Sequence, residues 1–158
     1  MTDNYIGIMI ESLRRKKDVL TDILKFSEEQ SLLLDDPNLE PDTFEKNVNR
    51  KAALIDKLEQ LDTGFESLYD KVKEELESNR DIHKEQIRQM QELIRALTEL
   101  NMQIQATEAR NKEKATAKFA YIRQQAKEIR SSQKIVKEYY NNMMHKAYNE
   151  PHFLDNKK

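Results

Sequence analysis

The 158-residue sequence contains no cysteine and has only two glycines and three prolines. Without cysteine the chain can form neither a disulfide nor a thiolate metal site. Glycine and proline interrupt helices, so their scarcity leaves long segments that can remain helical. Apolar residues make up 37% of the chain and charged residues 35%, a balance typical of long helices with a small core. We therefore expect an all-α protein.

Motifs of common catalytic sites are also absent. The chain has no glycine-rich phosphate loop, no H-E-x-x-H and no G-x-S-x-G, and its carboxylates follow helical surface spacing. We expect no enzymatic activity, no bound metal and no other cofactor. No apolar run approaches the ~20 residues that span a bilayer, and Glu11 and Ser12 interrupt the apolar run near the N-terminus that could otherwise resemble a signal peptide. These features predict a cytoplasmic protein without membrane insertion.

Charge is distributed unevenly along the chain. Residues 1–79 contain 11 Lys and Arg against 19 Asp and Glu, whereas residues 80–158 contain 16 against 10. Residues 110–137 carry nine basic side chains and two acidic ones. We interpret these bases as spread around a helix without interleaved aromatic residues, a pattern that argues against nucleic-acid binding. A solvated basic face is the expected result.

Apolar spacing and the positions of proline divide the chain, which we expect to form a single helical domain over 1–158. The acids Asp42 and Glu45 have the spacing of a capping box at the start of the second helix. The predicted segments are a helix over 3–34, an acidic proline loop over 35–42, a helix over 43–78, a long helix over 81–148 and a flexible tail over 149–158. Gly64, inside the second helix, could mark a bend or the close approach of another backbone.

The long helix exceeds what an antiparallel second helix can cover. Within it, residues 105–118 contain no large aliphatic or aromatic residue, so this stretch is predicted to be its weak point. Three arrangements remain open. The chain could bend at 105–118 into a four-helix bundle, the first helix could cover the far end, or a second molecule could do so. The fold prediction is thus an elongated three- or four-helix bundle or coiled coil of antiparallel helices.

The end of the long helix carries an apolar stripe that broadens toward the C-terminus. Methionine adapts its shape and tyrosine tolerates both water and burial, so this surface suits a protein partner, although it could equally be core. The residues that we predict to bind a partner are Phe119, Ile122, Ile129, Val136, Tyr140, Met143 and Met144.

Two short runs resemble the FlgN-type flagellar export chaperones. Residues 51–58 read K-x-x-L-I-x-x-L at the second helix, and residues 97–101 read L-x-E-L-N in the third. The resemblance implies that the C-terminal helix binds a disordered segment of hook-associated (hook–filament junction) proteins, keeps them unpolymerised and delivers them to the flagellar type III export gate and its ATPase complex. It also implies that Tyr139 or Tyr140 contacts the export gate.

A structural coiled-coil scaffold without export cargo is the alternative function. Such a protein would form a stable oligomer through continuous heptads, and a homodimer is also an option for a chaperone. The lapse in the apolar pattern over 105–118 argues against a continuous scaffold. Neither hypothesis requires nucleic acid, membrane or cofactor.

Overall fold

A computed structural model describes the backbone of residues 2–144 and the side chains of residues 4–139. This part of the chain forms three helices and no strand: α1 (Thr2–Asp35), α2 (Pro41–Ser78) and α3 (Lys84–Met144). The predicted all-α class is confirmed, in its three-helix form. The structure divides into two compact units, Met1–Lys114 and Ala115–Lys158, and the predicted tail over 149–158 lies outside the described residues.

The loop between α1 and α2 is held by hydrogen bonds to Asp36. The Asn38 amide donates to Asp36 Oδ1 at 2.8 Å, and the Leu39 amide donates to the Asp36 carbonyl at 3.3 Å. Glu40 is the N-cap residue of α2 and makes no side-chain capping bond, while Pro41 occupies the first turn. The capping box predicted from Asp42 was therefore wrong. Proline suits the first helical position because its missing N–H would have no partner there.

In the first unit, α1, α2 and the first half of α3 form a three-helix bundle. The ring of Tyr5 faces the ammonium of Lys71, and Gln30 bonds to Asn47, so α1 and α2 run antiparallel. Bonds from Asn111 to Ser27 and from Lys114 to Asp35 show that α3 runs in the same direction as α1. α1 therefore lies beside both other helices.

The hydrophobic core of this unit is built mainly on α1. Leu20 is only 2% exposed, and α1 has buried apolar residues along most of its length because it faces two neighbours. α2 and α3 each contribute fewer buried residues and more half-buried ones. The core comprises Ile6, Met9, Ile10, Leu13, Val19, Leu20, Ile23, Val72, Leu76, Met90 and Leu97.

The residues of the two short runs at 51–58 and 97–101 contribute to this bundle in different ways. Leu54, Leu58 and Leu100 pack partly buried against the core, and Leu97 belongs to it. Ile55 is exposed. Most apolar residues of the two runs are therefore packing positions of the bundle.

A hydrogen-bonded turn over residues 79–83 connects α2 to α3, which begins at Lys84. In this turn the Ile82 and His83 amides donate to the Asn79 carbonyl.

At one end of the bundle the apolar core gives way to a buried polar layer. Asn47 is 1% exposed, and its amide group donates to the Phe26 carbonyl at 2.9 Å and accepts from Gln30 Nε2 at 3.1 Å. Asn111, 2% exposed, donates to the Ser27 carbonyl at 2.8 Å. Buried polar groups are stable only when hydrogen-bonded, and these bonds satisfy most of them. The polar layer consists of Ser27, Gln30, Asn47, Lys51, Glu108 and Asn111.

This polar layer explains the lapse in the apolar pattern of α3. Residues 105–118 remain helical without interruption, and Thr107 and Asn111 within them are buried. Lys114 extends the contact by donating to Ser31 Oγ at 2.8 Å and to Asp35 Oδ2 at 2.9 Å. Up to Lys114, the lapse is therefore a stretch where α3 packs through hydrogen bonds. The predicted bend and the predicted single domain over 1–158 both stay predictions.

Candidate functional site

The helix that continues from Ala115 carries an exposed row of large apolar side chains. Phe119 is 41% exposed, Ile122 50%, Ile129 58% and Val136 54%. Their spacing of three, seven and seven residues places them on one side of the helix, because seven residues make nearly two turns. We call these four residues the apolar stripe. Four exposed large apolar residues in line form an extended surface rather than isolated exposed positions.

The remaining predicted binding residues follow the stripe in the sequence. Tyr140 follows Val136 by four residues. Tyr139 is 64% exposed. The side chains of Tyr140, Met143 and Met144 lie outside the described residues, so their binding roles stay predictions, as does the export-gate role of Tyr139 and Tyr140.

A second group of exposed apolar residues, on a neighbouring side of the helix, includes one that the sequence-based prediction missed. Tyr121 is 63% exposed and Ile135 66%, and they lie fourteen residues, or nearly four turns, apart. The Tyr121 hydroxyl accepts a hydrogen bond from Gln125 Nε2 at 2.7 Å. The seven-residue spacing from Tyr121 through position 128 to Ile135 was the available signal.

Basic residues form a row directly beside the apolar stripe. Arg123 and Arg130 each follow a stripe residue by one position, Ile122 and Ile129 respectively, and therefore lie on its flank. The interpretation of these bases as spread around the helix was wrong over this segment, because their spacing of four, three, four and three residues keeps them on one side. The basic row is Arg123, Lys127, Arg130, Lys134 and Lys137.

The opposite flank of the stripe is polar but mostly uncharged. Gln125, Ser132 and Tyr139 occupy it at intervals of seven residues, with Lys118 one interval earlier. Ile129 and Val136 line a surface depression whose rim includes Gln125, Ser132 and Lys137. The stripe therefore has one basic edge and, from residue 125 onward, one neutral edge formed by Gln125, Ser132 and Tyr139, with the acidic Glu128 bordering it.

The stripe, the basic row and the neutral edge together form one extended surface on the helix. The described side chains include no group of three or more His, Asp or Glu residues that could hold a metal ion. Within residues 2–144, none of the helices has an apolar stretch sufficient to cross a membrane. The surface can bury apolar area and pair charges, which are the elements of helix-to-helix recognition.

Comparison with known proteins gives one finding. The family model described as FlgN protein matches residues 1–145, which cover both the bundle and the helix that bears the apolar stripe. No curated protein and no solved structure matches the chain.

Proposed function

The chain belongs to the FlgN family of flagellar export chaperones, and from this membership and the exposed apolar stripe we propose that it is a cytoplasmic chaperone for hook-associated proteins. The stripe on α3 binds a cargo segment, keeps the cargo unpolymerised and accompanies it to the flagellar type III export gate and its ATPase complex. The family is one of chaperones, and the function proposed here requires no catalysis.

The observation that carries this proposal is the exposure of the apolar stripe. Ile129 and Val136 are each more than half exposed although they occupy positions at which a two-helix contact would bury them. Burying the exposed part of one such side chain would contribute about 1 kcal/mol. Four residues in line could thus contribute several kcal/mol toward holding an amphipathic cargo helix, before the costs of association and ordering.

The mechanism follows from what an unassembled export cargo requires. Segments that pair with each other in a polymer are amphipathic, and they remain disordered or aggregate while unpaired. A chaperone helix with a similar apolar side can cover the apolar side of the cargo segment until the cargo assembles. Such a contact uses helix packing alone, so it can be released without covalent chemistry.

Delivery to the export gate involves one of two adjacent tyrosines near the end of α3, Tyr139 or Tyr140. Tyr139 lies on the neutral flank of the stripe, and Tyr140 is its neighbour in the sequence. We propose that one of the two contacts the gate while the other contacts cargo. Since Tyr139 is 64% exposed, it is the better candidate for a gate contact in the cargo-bound protein. A homodimer would be compatible with this function and is not required by it.

Cargo binding can be tested by comparing two double variants, each of which removes two exposed aliphatic side chains. We expect Ile129→Ala with Val136→Ala to weaken binding of the hook-associated proteins from the same bacterium at least tenfold, measured by calorimetry. The matched control is Leu32→Ala with Ile82→Ala, which removes two aliphatic side chains that are 72% and 74% exposed in the first unit. Unchanged cargo affinity in the stripe variant would refute the proposal. Concentration-dependent melting with no cargo binding by the wild type would instead favour the scaffold.

A further inference from the structure

We propose that the cargo segment held on the apolar stripe is an amphipathic helix with an acidic edge, which pairs with the basic row; this inference rests on the proposed function. The basic row extends over the fifteen residues from Arg123 to Lys137, which lie about 21 Å apart along the helix axis. The apolar stripe covers a similar length of the same helix. A single partner segment can therefore contact both.

The position of the charges relative to the stripe determines which of them act on the partner most directly. Arg123, Arg130 and Lys137 immediately follow the stripe residues Ile122, Ile129 and Val136. In heptad terms these three cations occupy the e positions, which border the contact between paired helices. Lys127 and Lys134 lie one step farther around the helix, at b positions. The inner three cations should therefore contribute more than the outer two.

Charge complementarity favours an acidic partner. Residues 119–139 contain the five cations of the basic row and only two acids, Glu128 and Glu138. Glu128 borders the neutral edge of the stripe, on the side away from the basic row, and accepts a hydrogen bond from Gln124 Nε2 at 3.4 Å. Glu138 borders the row four residues after Lys134. Acidic residues beside the apolar side of the cargo helix would be attracted to this net positive charge.

Helical periodicity favours a protein helix over a membrane or a nucleic acid. Cations at intervals of four and three residues match the repeat of a second helix packed along the stripe. Interfacial membrane helices have a broad apolar face below a basic polar face, whereas this stripe is interrupted by Ala126 and Gln133 and has a neutral second edge. Nucleic-acid binding would use the cations and leave the stripe without a role.

The asymmetry of the two edges also orients the cargo. A cargo helix whose acids flank only one side of its seam can place them against the basic row in only one direction, parallel or antiparallel. In a parallel pair the e positions meet g positions of the partner, and in an antiparallel pair they meet its e positions. The neutral edge, with Gln125 and Ser132, gives no compensating attraction for the reversed orientation.

The test measures affinity for purified hook-associated proteins of the same bacterium at ~50 mM and ~300 mM NaCl. The triple variant Arg123→Glu, Arg130→Glu and Lys137→Glu should bind at least tenfold more weakly at low salt. It should also lose the decrease in affinity with salt that the wild type shows. The double variant Lys127→Glu with Lys134→Glu should lose less than the triple variant.

Two controls separate charge from fold and from the proposed function. The triple variant Lys25→Glu, Lys46→Glu and Lys57→Glu changes net charge equally at exposed positions of the first unit and should bind normally. Ile129→Ala should weaken binding at both salt concentrations and keep the salt dependence. If Ile129→Ala weakens binding but reversal of the basic row does not, this inference fails and the proposed function stands. If neither does, both fail.

Binding of the wild type to DNA or to vesicles containing phosphatidylserine distinguishes the other classes of partner. The inference is overturned if reversal of the basic row abolishes either of those interactions and leaves cargo affinity unchanged. Charge-exchange rescue gives the strongest support. Lysine substitutions at the acidic edge of the cargo should restore binding to the glutamate triple variant and weaken binding to the wild type.

Discussion

The ammonium of Lys51 on α2 and the carboxylate of Glu108 on α3 form an ion pair inside the polar layer of the bundle. The side chain of Lys51 is 9% exposed and that of Glu108 is 42% exposed. Glu108 also accepts a hydrogen bond from Ser27 Oγ at 2.6 Å, so this one carboxylate links all three helices. Lys51 opens the run at 51–58, which gives the first position of that run a structural role.

Removal of the Glu108 carboxylate and removal of the Lys51 ammonium should lower the stability by different amounts. Glu108→Ala leaves a buried ammonium with only Gln30 as acceptor, and we expect the free energy of unfolding to fall by about 1–3 kcal/mol. Lys51→Met should cost less, because Glu108 remains accessible to water. Urea denaturation followed by circular dichroism measures both, and the double variant should recover part of the loss. The surface pair Arg88 and Glu92 is the control, and Glu92→Ala should cost much less than Glu108→Ala because water screens this exposed pair.

Replacing Gly64 should stabilise the protein. The predicted close approach of another backbone was wrong, because a Cβ atom built on Gly64 meets nothing within 4 Å. Gly64→Ala should therefore raise the free energy of unfolding by about 0.5–1 kcal/mol through helix propensity and reduced freedom of the unfolded chain. Ala53→Gly, at an exposed position of the same helix, should lower it by a similar amount. A loss of stability in Gly64→Ala would reveal a constraint that the backbone geometry does not show.

Stability should depend on pH through the contact between α2 and the following turn. A hydrogen bond from His83 at 3.0 Å, and then one from Asn79, lower the pKa of Glu75 below its ordinary value of 4.5. Because folding lowers this pKa, the contact stabilises the protein above 4.5, and the contribution is lost as pH falls through the folded-state pKa. The free energy of unfolding of the Glu75→Gln variant should therefore decrease less at acidic pH than that of the wild type. Glu66→Gln, an exposed change on α2, should show the same decrease as the wild type.

Core and stripe residues should differ sharply in their effect on stability. Leu20→Ala removes a side chain that is 2% exposed, and we expect a loss of about 2–5 kcal/mol. Ile129→Ala removes one that is 58% exposed and should change stability by about 0.5 kcal/mol or less. Thermal and urea unfolding of the two variants make the comparison. Equal losses would mean that the stripe is structural, and the cargo-binding proposal would then lose its basis.

Local physical rules made the helices predictable from the sequence. Scarce glycine, prolines confined to the loop and the C-terminal tail, and apolar spacing of three and four residues indicate long helices whatever their partners. The failed capping box at Asp42 shows the limit of such rules, because two overlapping start signals competed and Pro41 determined where the helix began. The basic row could also have been recognised from spacing alone, by following positions 123 to 137 around the helix.

The polar layer could not be predicted from local spacing. Asn47, Lys51 and Asn111 are ordinary polar residues in the sequence, and each is buried beside residues of another helix that form hydrogen bonds with it. A stretch without large apolar residues can equally be a solvated segment. Only the approach of three helices distinguishes the two, since the hydrogen-bond partners are up to 84 residues apart in the chain.

The sequence by itself determined that this chain is helical, where its turns lie and which sides of its helices are apolar. The tertiary structure decided which of those apolar sides are covered. Ile23 and Ile129 occupy similar helical stripes, yet the first is 4% exposed and the second 58%. The reason is that helical periodicity is a property of one segment, whereas burial depends on the neighbours that the fold brings beside it.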